Sequence, residues 1–231
     1  HDKLLQIYVT KTNAYVCIFV DEGLGGTVNN SQSQKSICCV TDEFSAINCL
    51  ETIKQGFEIK LVICYETRED VIHLVKIIDK ILPRMLKSEV ELEFHKISKF
   101  GKKSEDVLSK SSLITNILIK SAKEKQISHI SLATSPLIFP STYIETLQKR
   151  IFSAGIIPHI SLSGIDSEIM KNAKEIGMEK YVPKIEKFLK SNLTKSKSKL
   201  KNNEKTVKKI IKVKLGPNNV HTILDSLEIE H

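Results

Sequence analysis

Hydroxyl and carboxylate side chains recur directly after apolar segments of this sequence. The stretches that carry them are residues 41–45, 66–67, 134–141 and 163–166. Serine and threonine hydroxyls donate hydrogen bonds to phosphate, a helix N-terminus adds backbone N–H groups, and carboxylates hold Mg²⁺. These four stretches are therefore the candidates for a phosphate-binding or nucleotide-binding site.

An alternation of strands and helices positions these stretches. Apolar runs predict strands at 37–40, 57–65, 89–97, 127–133 and 156–162, with amphipathic helices between them. Right-handed helical crossovers make such strands parallel and cover both faces of the sheet. We therefore predict an α/β fold with an open, mainly parallel, five-stranded sheet and helices on both faces. Ligands of such sheets bind at the carboxyl ends of the strands, where the strand order reverses.

The positive charge of the chain is concentrated near its end. The net charge is +8, yet residues 184–214 hold twelve lysines against two acids, so the rest of the chain carries −2. We interpret residues 190–206 as a disordered basic linker. Two roles stay open for this region, a solvated linker or an arm that adds phosphate contacts to a bound RNA. Its candidate RNA-binding residues are Lys195, Lys197, Lys199, Lys201, Lys208 and Lys209.

The five cysteines favour a reduced protein. None stands in a C-x-x-C pair, and most lie in apolar runs, a pattern typical of buried thiols in a cytoplasmic protein and not of a zinc site. The histidines are scattered, without a metal-binding or triad spacing, so we expect neither a metal site nor catalytic residues of these kinds. No run of 18 apolar residues predicts a membrane span.

Segments at both ends of the α/β region carry a resemblance to a known family. They are His1-Asp2-Lys3 with Gly25-Gly26, and Ile157-Pro158 followed by Gly164-Ile165-Asp166 and Glu175-Ile176-Gly177. In this order they resemble the tRNA thiouridine sulfurtransferase and thiamine-biosynthesis family. Members join an RNA-binding THUMP domain to a PP-loop ATP pyrophosphatase domain of Rossmann-like fold.

The resemblance implies a division of the chain into five parts. Residues 1–26 correspond to the end of a THUMP-like domain, 27–36 to a linker and 37–189 to the PP-loop-like domain. The basic linker 190–206 and a small C-terminal element, 207–231, follow. In active members ATP adenylates a uridine oxygen of tRNA, and a persulfide sulfur then displaces AMP.

The family's phosphate loop, Ser-Gly-Gly-x-Asp-Ser, falls on residues 40–45 of this chain, where only Ser45 agrees. Thr41 and Asp42 replace the glycines, whose missing Cβ atoms let the backbone approach phosphate. Two carboxylates, Asp42 and Glu43, stand where the polyanionic phosphate would lie and would repel it. We therefore expect Asp42 or Ser45 to cap the following helix. The resemblance leaves Ser135 as a further nucleotide-site candidate.

A second stretch resembles a phosphate loop by its letters alone. Ser163-Gly164-Ile165-Asp166-Ser167 follows the last predicted strand instead of the first and lacks one glycine. We interpret Asp166 or Ser167 as a helix N-cap, and Gly164 with Asp166 alternatively as the polar rim of a ligand pocket.

Two functions remain open from the sequence. In the first, the chain is a relative that binds tRNA or a protein partner, needs no cofactor and has lost the chemistry, since residues 178–188 also lack the family's cysteine. In the second, it is an ATP-dependent tRNA sulfurtransferase with a substitute phosphate site, built from Ser45 and from Mg²⁺ on Asp42 and Glu43.

Overall fold

The structure is a computed structural model, which describes most of the α/β region and parts of the flanking segments. The described residues are 6–9, 11–12, 14–17, 31–101, 103–162, 167–183, 187 and 206–229. The stretch with Gly164 and Asp166 and the lysines at 195, 197, 199 and 201 lie outside them. No helix in the described ranges is both long and apolar enough to cross a membrane.

Two short strands near the start form a hairpin. β1 (Gln6–Val9) pairs antiparallel with β2 (Ala14–Cys17), with Gln6 opposite Cys17 and Val9 opposite Ala14.

The main body is a six-stranded sheet. Its strands are β3 (Lys35–Val40), β4 (Glu58–Tyr65), β5 (Glu89–Lys96), β6 (His129–Ser131), β7 (Ile157–His159) and β8 (Val207–Lys214). They lie in the order β7-β6-β3-β4-β5-β8, and every neighbouring pair is parallel except β5 with β8. The α/β class and the mainly parallel sheet are confirmed. The predicted count of five strands is wrong, because the segment 207–214 adds an antiparallel strand at the edge.

Helices connect the parallel strands and pack on the sheet. They are α1 (Glu43–Lys54), α2 (Arg68–Ile81), α3 (Ser104–Glu124), α4 (Ser141–Ser153), α5 (Ser167–Ala173) and α6 (Asn219–Ser226). A 3₁₀ turn, Leu82–Met85, extends α2, and a π-helical turn, Lys174–Met178, and a 3₁₀ turn, Glu179–Tyr181, follow α5.

Two glycines with a left-handed backbone lie at bends of the helical segments, one after α1 and one within the π-helical turn after α5. Gly56 follows the end of α1 with φ +89°, and its N–H donates to the carbonyl of Ile53 at 2.8 Å. Gly177 has φ +80° inside the π-helical turn. Glycine adopts this left-handed backbone without a Cβ clash, so the chain turns back toward the next element at little cost.

The core lies between the sheet and its helices. α1 and α2 cover one face, on which the buried side chains of β3, β4 and β5 are almost entirely apolar. α3 covers the other face, where it packs mainly on β3 and β6. The edge strand β8 buries Ile211 and Val213 against α6, so the C-terminal segment shares the same core.

Candidate functional site

A pocket of about 390 Å³ lies at the carboxyl ends of β3, β4 and β6. The chain order reverses between β3 and β6, so the pocket lies where α/β sheets bind their ligands. Its volume falls in the range of small-molecule sites. Most of its wall is apolar, and its polar lining residues are Thr41, Asp42, Ser45, Glu66, Lys110, Ser111, Thr115 and Thr134.

The turn between β3 and α1 is a capping box. The backbone N–H of Ser45 donates to Asp42 Oδ1 at 2.8 Å, and the N–H of Asp42 donates to Ser45 Oγ at 3.0 Å. The N–H of Thr41 donates to the same hydroxyl oxygen at 2.8 Å. Ser45 Oγ in turn donates to Asp42, whose Oδ1 lies at 2.8 Å. The prediction that these residues cap the helix is confirmed.

This capping box has a consequence for phosphate binding. A phosphate at a helix N-terminus needs backbone N–H groups that point at it. Here the N–H groups of Thr41, Asp42 and Ser45 are used within the turn, and the carboxylate of Asp42 occupies the position of an anion. A triphosphate would have to break these hydrogen bonds and displace or neutralise that carboxylate.

The two adjacent carboxylates of this turn serve different partners. Glu43 is 3% exposed, and its Oε1 lies 2.9 Å from Nε2 of His73 on α2. Asp42 interacts with its own helix instead. A Mg²⁺ ion held by both would require one of them to leave these contacts.

The turn between β4 and α2 is built in the same way. Thr67 caps α2 by accepting from the N–H of Asp70 at 3.2 Å, and Asp70 Oδ2 accepts from the N–H groups of Thr67 and Glu66 at 2.9 and 3.2 Å. The turn between β3 and α1 thus has the same construction as this ordinary helix start.

Glu66 fixes the opposite wall of the pocket. Its Oε1 accepts from Lys110 Nζ on α3 at 2.6 Å, and its Oε2 accepts from the backbone N–H of Phe100 at 3.0 Å. Lys110, the one lysine among the described residues that line the pocket, is therefore paired with a carboxylate, which leaves it less charge for an anionic ligand.

One hydroxyl of the pocket wall has no partner among the described residues. Thr134, just after β6, is 1% exposed, and its Oγ1 makes no hydrogen bond with any described group. Buried hydroxyls almost always find a partner, so this atom indicates a place for a ligand or an ordered water. Sequence reasoning selected the neighbouring Ser135 instead. Ser135 is fully buried, and its hydroxyl accepts from the N–H of Leu137 at 3.3 Å within a local turn.

Cysteines lie under the pocket but are poor nucleophiles. Cys39 lines the pocket, and its Sγ lies 3.6 Å from Sγ of Cys64 on β4. Burial, followed by the interaction with Cys64, raises the pKa of Cys39 well above its usual range. Burial likewise raises the pKa of Cys49. Because the thiolate is the reactive form, these thiols are suited to packing and not to sulfur transfer.

The two described lysines among the predicted RNA-binding residues have carboxylate neighbours. Lys208 Nζ lies 2.5 Å from Glu124 Oε2 and 3.1 Å from Glu93 Oε1. Lys209 Nζ lies 3.3 Å from Glu228 Oε1. Their role in RNA binding stays a prediction, and the other four lysines of that set lie outside the described residues.

No family model matches this sequence, and no curated protein matches it. One solved structure with a similar fold is that of a 4-thiouridine synthetase in complex with RNA and with bound ATP. It shares 19% identity with this chain, and the TM-score is 0.56 over 83% of this chain. A second, the protein PH1313 from Pyrococcus horikoshii Ot3, shares 15% identity over 75% of this chain and 50% of its own, with a TM-score of 0.48. The present chain spans about half of the synthetase chain, 54%. The likeness to the synthetase shows the fold: the chain has a PP-loop-like, Rossmann-like α/β fold.

Proposed function

We propose that this protein is a non-catalytic relative of the tRNA thiolation enzymes, which binds RNA and has lost their ATP-dependent chemistry. The observation that carries the proposal is the capping box of Asp42 and Ser45. It uses the backbone N–H groups that would bind a phosphate and places a carboxylate among them. A carboxylate in a partly buried pocket disfavours binding of a polyanion by kcal/mol and not by tenths of a kcal/mol.

Two further observations support the loss of sulfur chemistry. Residues 178–188 hold no cysteine, although the family resemblance implies one there. The raised pKa of Cys39, the thiol that lines the pocket, leaves it protonated at neutral pH.

The RNA half of the proposal is supported by fold and charge. The synthetase of similar fold was solved with RNA, and residues 184–214 of this chain carry twelve lysines. A basic segment next to an RNA-holding domain adds phosphate contacts that weaken steeply as salt rises.

The direct test is filter binding of unfractionated tRNA to the full chain over a range of salt concentrations. We expect binding at low salt. A variant with glutamine at Lys195, Lys197, Lys199 and Lys201 should bind more weakly, with a salt slope shallower by about three. A full chain that ignores tRNA at low salt would remove RNA binding from the proposal.

The second candidate function is the ATP-dependent sulfurtransferase, and the unpartnered Thr134 hydroxyl in an intact pocket is the observation that favours it. Its phosphate site would need Ser45, with Mg²⁺ on Asp42 and Glu43. The test is the melting temperature with Mg-ATP. A nucleotide present at 100 times its dissociation constant would stabilise the chain by about 2.7 kcal/mol. We expect no shift, and a shift that Ser45→Ala abolishes would support the enzyme instead.

A further inference from the structure

One side of the sheet edge formed by β4, β5 and β8 is polar instead of apolar. The register places Lys212 of β8 opposite Glu91 of β5, and Lys60 of β4 also interacts electrostatically with Glu91. The next row toward the start of β4 holds Lys35 and Glu58. Most parallel sheets are covered by helices on both faces, and their strands are apolar on both. A charged row in the middle of such a sheet is therefore unusual.

Five lysines converge on two glutamates at this surface, which we call the lysine face: Lys35, Lys60, Lys87, Lys125 and Lys212. Glu58 forms an ion pair with Lys87, and its Oε1 lies 3.9 Å from Lys60 Nζ. Glu58 also interacts electrostatically with Lys35. Glu91 forms an ion pair with Lys125 and interacts electrostatically with Lys60 and Lys212.

The positive charge remains in excess when the surroundings are included. Toward the carboxyl end of β5, Lys125 and Lys208 also interact with Glu93, and Lys208 with Glu124. Six lysines thus face four glutamates. Glu89 and Lys214, opposite each other in the register, add no net charge. Two of the six, Lys208 and Lys212, come from the lysine-rich segment 184–214, and the pairing of β8 with β5 places them beside the other four.

The described helices leave this charged region accessible. α3 packs mainly on β3 and β6 and reaches β5 through Ser121 and Lys125 near its C-terminal end. The side chains of Lys60 and Lys87 are 28% and 33% exposed, and Lys212 is exposed. Burial, together with the positive charges of Lys87 and Lys35, lowers the pKa of Lys60. A bound anion would relieve this repulsion.

We propose that the lysine face binds the phosphate backbone of RNA. This inference rests on the proposed RNA-binding function and names the surface that carries it. The occupant is a polyanion because the surface holds excess positive charge, and its charged members offer ammonium groups but no aromatic ring for base stacking. Contact is therefore with phosphates and does not depend on base sequence. The lysine-rich segment before β8 leads directly into one of its strands.

The test compares two charge-neutralising double variants of the full chain by filter binding of unfractionated tRNA at several salt concentrations. The first is Lys60→Gln with Lys212→Gln. The matched control is Lys76→Gln with Lys80→Gln, two exposed lysines of α2 on the opposite side of the sheet. We expect the first variant to bind about tenfold more weakly at low salt, with a salt slope shallower by one to two, since each lost phosphate contact removes about 0.7 to 0.9. The control should bind almost as the unchanged chain does.

Equal binding by both double variants would overturn the inference. If the first variant bound tRNA as the unchanged chain does but bound an acidic polypeptide such as polyglutamate more weakly, the surface would belong to a protein partner. The inference would again be wrong. Lys212→Gln alone, at an exposed position, repeats the test if the double variant does not fold. Failure of the unchanged chain to bind tRNA would contradict the proposed function itself, so the two failures are distinguishable.

Discussion

Asp42, in the turn after β3, and Glu93, on β5, are both acidic residues, but their surroundings differ. Asp42 is surrounded by backbone N–H groups and hydroxyls of its own turn. Glu93 is 1% exposed and accepts hydrogen bonds from His95 at 2.8 Å and Ser121 at 2.9 Å, with two lysines nearby. No described lysine or arginine forms an ion pair with Asp42.

The difference explains where the protein repels phosphate and where it attracts it. Beside the pocket, the negative charge of Asp42 is solvated by dipoles but not cancelled, so an incoming triphosphate meets it. At the β5–β8 edge, the charge of Glu93 is more than cancelled, so the surrounding surface remains positive. An acidic residue thus disfavours a triphosphate beside the pocket, whereas at the β5–β8 edge an acidic residue holds the lysines that would bind RNA phosphates.

The largest expected effect is a difference in the free energy of unfolding between variants of Glu93 and Asp42. Glu93→Gln leaves Lys208, Lys125 and His95 without their shared carboxylate, so we expect a loss of about 3 kcal/mol in the free energy of unfolding. Asp42→Asn removes the same charge but keeps a side chain that caps helices equally well, so the loss should stay within about 0.5 kcal/mol. Urea denaturation of both variants measures the difference. Equal losses would contradict the comparison.

The stabilisation by Glu93 should depend on pH in one direction. Burial alone would raise the pKa of Glu93, but hydrogen bonds from His95, Lys208 and Ser121 outweigh it and lower the pKa to about 2 from 4.5. A lowered folded pKa stabilises above the unfolded value and is lost as pH falls through the folded one. The stability gap between the unchanged chain and Glu93→Gln should therefore be constant above about pH 5 and shrink toward pH 2. A gap that widens in acid would exclude this account.

A smaller effect compares the two capping turns. Ser45→Ala removes the acceptor of two backbone N–H groups in a turn where Ser45 is 3% exposed, so we expect a loss of about 2 kcal/mol. Asp70→Ala also removes an acceptor of two N–H groups, but Asp70 is only partly buried and water reaches the site, so the loss should be about 1 kcal/mol. Thermal or urea unfolding of the two variants measures these losses. The reverse order would show that burial does not distinguish the turns.

Local sequence signals were sufficient for the elements and the first turn. Apolar runs predicted the five parallel strands, and Asp42 with Ser45 predicted the cap of α1. These features depend on residues close in sequence, whose geometry is fixed by propensity and capping chemistry. The strand β3 begins at Lys35, inside the predicted linker 27–36, because a polar first residue does not appear in an apolar run.

Features that depend on distant pairing were missed. The attachment of β8 to β5 brings together segments more than one hundred residues apart. A signal was present, since the acids Glu89 and Glu91 of β5 match the lysines Lys214 and Lys212 of β8 across the pair, and cross-strand opposite charges favour pairing. Lys110 of the pocket was missed because only the fold shows which wall it faces, whereas Thr134 lies in the predicted candidate stretch 134–141.

The central claim is that the turn of residues 41–45 does not hold a triphosphate, and a crystal structure determined with saturating Mg-ATP tests it most directly. The account predicts an intact capping box, with Ser45 N–H still donating to Asp42 and no phosphate density against the turn. Density for the nucleotide phosphates beside Thr41 and Ser45, with these hydrogen bonds broken or with Mg²⁺ on Asp42 and Glu43, would contradict it.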